Sequence, residues 1–178
     1  MDANGIIESL TPLVPGAAFE AGASVDFATV YVTGEHIVAT CQALRDSLNF
    51  EVLVEVTCAD YLPRAPRYEV VYHLLSVSKR ERLRVKVRVA NDGTLATVQG
   101  VYPSAGWLER EVWDMFGIVF DGHNDLRRLL MPEDWEGHPQ RKDYPVQIQK
   151  AAQTYAPLEV SQEQFRANLE RDRVKRTH

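Results

Sequence analysis

The chain has 178 residues, 45% of them hydrophobic, and a formal net charge of -5 at pH 7. That length suits one main domain with some excess, and the acidity argues against wholesale nucleic-acid binding. No apolar run reaches the ~18 residues of a membrane span. The opening MDANGIIESL lacks the parts of a secretory signal, and the two cysteines, Cys41 and Cys58, form no CxxC and read as reduced, buried thiols.

Along the chain, Ile6, Leu10, Leu13 and Val14 suit a short opening helix closed by Pro15-Gly16. Val25 to Val32 reads as a strand with Val25, Phe27, Thr29 and Tyr31 on one face. Ile37, Cys41, Leu44 and Leu48 form the buried stripe of a helix over Glu35 to Ser47. Three strands follow: Phe50 to Thr57; Tyr68 to Val77, apolar on both faces and so central in the sheet; and Arg82 to Val89, which alternates strictly as RLRVKVRV. Residues 78–81 are a hairpin connection. The expected fold is α+β: a mixed sheet of β-α-β-β-β order packed by helices. Its first two strands run parallel through a right-handed crossover and the rest antiparallel.

Arg82, Arg84, Lys86 and Arg88 point one way on the last strand. A basic stripe beside Tyr68 and Tyr72 is what an RNA-binding sheet would offer. The plainer reading is a solvated sheet face with Glu51, Glu55 and Glu69 as cross-strand acidic neighbours and the tyrosines in the core.

A last helix, GWLEREVWDMFG, has Ser104 as N-cap, an apolar stripe of Leu108, Val112, Met115 and Phe116, and Gly117 as its stop. Glu109 and Trp113, like Arg110 and Asp114, stand one turn apart on it, away from that stripe. The globular domain is expected over 1–117, with 118–178 an extended partner-binding segment. Only near the end does order return, where Ser161-Gln162-Glu163-Gln164 reads as a capping box opening a charged helix through Phe165, Leu169 and Val174.

The stretch FDGHNDLRRLLMPEDWEGHPQRKDYPV, Phe120 to Val146, fits neither helix nor strand. A long structureless loop in a compact domain is functional, disordered or laid on a partner. Leu126, Leu129, Leu130, Met131, Trp135 and Tyr144 are too apolar for a solvated tail. Ordering it costs about 1 kcal/mol or more per residue, so a partner surface is the expected source of buried area, with the segment mobile in the isolated chain. His123, Asp125 and His138 are possible metal ligands, but their spacing matches no standard zinc or di-iron pattern. Glu133, Asp134 and Asp143 could pair for acid–base work, yet neither a nucleophile motif nor a glycine cradle accompanies them. The mixture of Arg, Trp, Tyr and Met with apolar anchors is that of an interface.

From Leu108 to Val146 the chain resembles one family, the thirty-kilodalton subunit of proton-pumping NADH–quinone oxidoreductase, respiratory complex I. The resemblance rests on Glu109-Arg110-Glu111, Asp114, Met115-Phe116, His123, Arg127, Leu129 and Met131. Arg67 to Val87 also looks like the family's sheet. Asn124 and Gln140 depart from the family's usual Pro and Leu. The resemblance implies a non-catalytic structural subunit of the hydrophilic arm, beside the quinone-reducing subunit. It implies that this chain binds no cofactor or metal, FMN, iron–sulfur clusters and quinone lying in partner subunits. Membrane contact would come only through the complex, peripherally at the cytoplasmic face of the bacterial inner membrane. The residues it singles out for partner contact or loop fixing are Trp113, Asp114, His123, Arg127, Arg128, Pro132, Asp134, Trp135, His138, Arg141, Lys142 and Tyr144. The equivalent subunit of a membrane-bound hydrogenase or of a ferredoxin-fed quinone oxidoreductase is the alternative.

Overall fold

The computed structural model describes residues 2–145 together with Ser161, Glu163, Gln164 and Arg166. The chain up to Pro145 forms one compact unit and 146–178 a second. In the second, Ser161 N–H donates to Gln164 Oε1 and Gln164 N–H to Ser161 Oγ, both at 3.2 Å. This is the reciprocal capping box read from the sequence. The apolar positions of the helix it opens, Phe165, Leu169 and Val174, lie outside the described residues.

In the first unit, Asp2 caps α1 (Ala3–Leu10) by accepting the Gly5 N–H at 3.0 Å. The helix ends before the expected Pro15-Gly16; Val14 still reaches the core from the following turn, whereas Leu13 faces outward. The main sheet has β1 (Phe19–Gly22), β2 (Ala28–Val32), β3 (Val52–Asp60), β4 (Tyr68–Ser76) and β5 (Glu81–Val89) in the order β1-β2-β5-β4-β3. β2 begins after the Ser24–Asp26 turn, so Val25 is fully exposed rather than on a strand face. β4 is buried along most of its length between β5 and β3, as its two-sided apolarity required.

β2 and β3 point the same way, as expected, but are not neighbours. Two hairpins make β3, β4 and β5 an antiparallel meander, and β2 pairs in parallel with β5, Val30 opposite Val85. This register puts Val30 and Val32 on the same buried face as Leu83, Val85 and Val87. A short 3-10 turn, Gly34–His36, leads into α2 (Ile37–Asp46). α3 spans Ala105–Phe116 and packs on β3. A small parallel pair, β6 (Thr94–Ala96) and β7 (Val119–Asp121), was not anticipated; β7 adds a strand just past Gly117.

The core gathers Ile6, Leu10, Ile37, Leu44, Phe50, Tyr72, Val85 and Val112. Cys41 and Cys58 are free thiols within it, and burial pushes both up to about 12, so neither is a reactive thiolate. Tyr68 and Tyr72 are fully buried and offer no face to a base.

Three of the four basic residues of the stripe pair with acids of the same chain, and Arg82 lies over the Phe27 ring. Arg84 pairs with Asp26 at 3.1 Å, Arg88 with Glu20 at 2.8 Å and Lys86 with Glu69 at 3.1 Å. Of the acids expected to do this, only Glu69 does. Glu51 instead accepts from Val77 N–H and Ser78 Oγ, and Glu55 lies opposite His73. Glu20 and Asp26 take their places because β1 and the loop before β2 reach the same sheet face.

Candidate functional site

The polar chemistry of the first unit collects where α3 ends. A helix leaves its last carbonyls without partners, and here the following loop supplies them. Gly117 turns the chain at φ +78°, its N–H returning to Trp113 O at 2.8 Å. Asp114 O accepts from Arg128 Nη1 at 3.2 Å and His138 Nδ1 at 3.0 Å. Met115 O accepts from Gln140 N–H at 3.0 Å, and Phe116 O from Arg141 Nε. The negative end of the helix thus meets two guanidinium groups.

Asp114 is the inner pin. Its Oδ2 accepts the N–H groups of Leu129, Leu130 and Met131 at 3.0, 2.7 and 2.9 Å, and its Oδ1 accepts from Arg128 Nη1 at 2.8 Å. Burial opposes its charge, but the Arg128 guanidinium and the backbone donors outweigh burial and hold the carboxyl below its usual range. Arg128 continues outward, donating through Nη2 to Trp135 O at 2.7 Å and Gly137 O at 2.9 Å, with its guanidinium over the Trp113 ring. Trp113 meets the His138 ring edge-on.

Two further pins lie on either side. Arg110, buried on α3, donates to Arg127 O at 3.2 Å and Arg128 O at 2.9 Å. Arg67, on the way into β4, binds Asp60 of β3 and Asp143 of the loop, at 2.7 and 2.6 Å through Nη2, and Asn91 through Nη1. Asp60 also accepts the Lys142 N–H at 2.8 Å. Arg67 draws both aspartates below the ordinary carboxylate range. At the loop's entry, His123 Nε2 lies 2.9 Å from Gly106 O, and its Nδ1 accepts the Asp125 N–H.

Of the twelve residues singled out from the sequence, most are engaged inside the chain. Trp113, Asp114, His123, Arg128, His138, Arg141 and Tyr144 use side chains, Tyr144 donating to Glu136 O; Lys142 uses its backbone N–H; Trp135 offers its carbonyl and is half-buried. Arg127 pairs with Asp125 at the surface, and Pro132 and Asp134 are exposed. Leu126 and Met131 are partly buried against the core, so part of the segment's apolar area is covered by its own domain. The loop 118–145 belongs to the compact unit, past the expected domain limit at Gly117.

Two readings of α3 differ from the structure. Ser104 already has helical angles and makes no cap; its hydroxyl donates to Leu53 O, because the preceding turns run straight into α3. Glu109, Arg110 and Asp114 are buried rather than set away from the packed face. Glu109 accepts the Val98 N–H at 2.8 Å and the Thr97 hydroxyl, and desolvation raises its pKa despite those bonds.

His123 and His138 spend nitrogens on backbone atoms of different parts of α3, and among the described residues His, Cys, Asp and Glu form no group of three suited to a metal. Asp143, a candidate for acid–base work, is held by Arg67.

What this geometry defines is an α+β domain whose buried ionic groups clamp a long loop onto its last helix. The model of the family described as respiratory-chain NADH dehydrogenase, 30 Kd subunit, matches residues 30–150, and the chain belongs to that family. A relative from Geotalea uraniireducens, named as a subunit of NADH-quinone oxidoreductase, is 49% identical over 120 residues, covering 67% of this chain and 73% of its own. A relative of the same name from Roseiflexus sp. is 42% identical over 158 residues, covering 87% of this chain and 91% of its own. A chain in the structure of the membrane-bound sulfane sulfur reductase, an archaeal respiratory membrane complex, superposes with a TM-score of 0.68. It is 27% identical and covers 80% of this chain and 85% of that one.

Proposed function

We propose that this chain is a non-catalytic structural subunit of an NADH–quinone oxidoreductase. It supports electron transfer from NADH to quinone, coupled to proton translocation, from the hydrophilic arm of the complex. The observation that carries the reading is the match of residues 30–150 to the 30 kDa subunit family, joined to a site whose ionic side chains hold the loop rather than face a substrate. Flavin, iron–sulfur clusters and quinone would lie in partner subunits, chiefly the quinone-reducing subunit beside this one. No helix of the described residues is long and apolar enough to cross a membrane. Membership of the 30 kDa subunit family supports placing membrane contact in the rest of the complex, at the cytoplasmic face.

A second reading has its own support. The fold recurs in the sulfane sulfur reductase complex at 27% identity, so a related membrane redox enzyme, hydrogenase-like or ferredoxin-fed, is a second setting for this fold. The relatives named for NADH-quinone oxidoreductase, at 42% and 49% identity, favour the NADH–quinone enzyme. Purification of the tagged full chain from native membranes in mild detergent tests the choice. NADH–quinone activity with flavin and iron–sulfur absorbance in the eluate is expected. Ferredoxin- or hydrogen-dependent activity instead would select the second reading, and recovery of the chain alone would sink both.

A further inference from the structure

We infer that the outer side of residues 130–136 is a preformed docking surface for a basic protein surface with an apolar pocket. The inference rests on the proposed place of this chain in a multisubunit complex and assigns which side of it meets a partner, and with what chemistry.

The first observation is rigidity with exposure. The Leu130 N–H is tied to the buried Asp114 carboxylate, as are those on either side of it, yet the Leu130 side chain is 60% exposed. Its backbone is fixed from beneath while its side chain stands open to solvent. An apolar side chain presented on an immobilised backbone loses little entropy on binding, which is the property of an interface anchor. Next to it, Trp135 N–H closes a turn on Pro132 O at 3.1 Å, which sets Glu133 and Asp134 at the tip. Arg128 holds the carbonyls of Trp135 and Gly137 on either side of Glu136.

The second observation is charge. On the open sheet face Glu20, Asp26 and Glu69 each have a basic partner. Around the loop, Asp60 of β3, Asp114 of α3 and Asp143 of the loop itself do as well. Glu133, Asp134 and Glu136 are exposed, and none forms an ion pair among the described residues. Other exposed acids, among them Glu8, Glu35 and Asp92, also form no ion pair among the described residues, but Glu133, Asp134 and Glu136 fall together on the loop that carries the exposed Leu130. The complementary surface carries lysines or arginines around an apolar pocket. Such charges act mainly on the rate and orientation of encounter, and they make binding salt-dependent. A phosphate or nucleic-acid partner is disfavoured by the sign of this surface, as it is on the sheet by the ion pairs of the basic strand.

The test is rebinding of the purified full chain to membranes from a strain lacking it, measured against salt concentration. The variants are Leu130→Ala and the triple reversal Glu133→Lys/Asp134→Lys/Glu136→Lys. The control reverses three exposed acids elsewhere, Glu8→Lys/Glu35→Lys/Asp92→Lys, and amide exchange at 129–131 verifies that the clamp is intact in each. Both loop variants should bind about tenfold or more weakly at low salt, with the triple variant also losing the salt dependence. Wild-type affinity and salt slope in the triple variant, with the wild-type chain binding normally, would overturn the docking surface and leave the subunit reading standing. Equal losses from the control reversal would show that net charge alone matters and overturn it too. Failure of the wild-type chain to rebind any membrane assembly would overturn the subunit reading and this inference together.

Discussion

Asp114 and Arg128 face each other at 2.8 Å beneath the loop, and each then ties down backbone that the other does not reach. Asp114 collects N–H groups of 129–131, and Arg128 collects carbonyls of 135 and 137. Removing one member of a buried pair leaves the other charged and unpaired, which costs about 3–5 kcal/mol. Asp114→Ala should therefore destabilise the domain by an amount near that range in urea unfolding. Amide exchange should show protection lost first at 129–131 while β4 and β5 remain protected. Uniform loss across the sheet would mean that loop and sheet unfold as one unit.

Arg67 links β3, the start of β4 and the end of the loop through Asp60 and Asp143. Arg67→Lys cannot reproduce the forked contacts and should cost about 2 kcal/mol or more; Arg67→Met should cost more because Asp60 is left buried. The guanidinium lowers the pKa of both aspartates. Unfolded aspartate titrates near about 3.9, so the stabilisation is complete above that pH and declines as pH falls toward the lowered folded values. The gap in stability between wild type and Arg67→Met should be widest near neutral pH and narrow on acidification below about 4. A gap independent of pH would assign the effect to packing of the Arg67 stem.

The sheet was readable because its signal is local. Alternation in RLRVKVRV fixes one face of β5 as buried, and Leu83, Val85, Val87 and Val89 are all in the core. The pairing of β2 with β5 was not readable in the same way, because residue patterns set a face but not a neighbour. β1, β6 and β7 have three or four residues each, too few to show a period. At the loop, Asp114, His123, Arg128, His138 and Arg141, singled out by residue type, all bond within the clamp. What they bind was hidden, since most of their partners are backbone atoms, which any sequence supplies. Burial of Glu109, Arg110 and Asp114 escaped for a related reason: charged residues on a helix count as solvent-facing unless their partners, here up to 18 residues away, are known.

Gly117 carries two separate demands. Its φ of +78° is costly for any residue with a Cβ, and that Cβ would collide with the Arg141 guanidinium and the His138 ring. Gly117→Ala should cost about 1 kcal/mol for the backbone alone and more for displacing the loop. Gly122, also at positive φ, has only an ordinary contact with Thr97 at its Cβ position. Gly122→Ala should show the backbone cost alone, so the difference between the two melting temperatures measures how firmly His138 and Arg141 sit on the helix end.

Glu109 is buried without a guanidinium or ammonium group bonded to it, held by the Val98 N–H and the Thr97 hydroxyl. Desolvation raises its pKa. A carboxyl whose folded value lies above its unfolded value, about 4.3, opposes folding when ionised, and the penalty is relieved as pH falls through the raised folded value. Glu109→Gln keeps an acceptor for Val98 N–H and places an amide donor toward the Thr97 oxygen. It should leave stability at pH 8 unchanged or higher and abolish the wild-type gain on acidification. Glu109→Ala should lose about 2–3 kcal/mol at either pH, because the Val98 N–H is then buried without a partner. If Glu109→Gln instead loses more stability at pH 8 than at pH 5, the ionised carboxylate is itself stabilising. Its charge would then be held by the Val98 N–H and the Thr97 hydroxyl, whose bonds oppose desolvation.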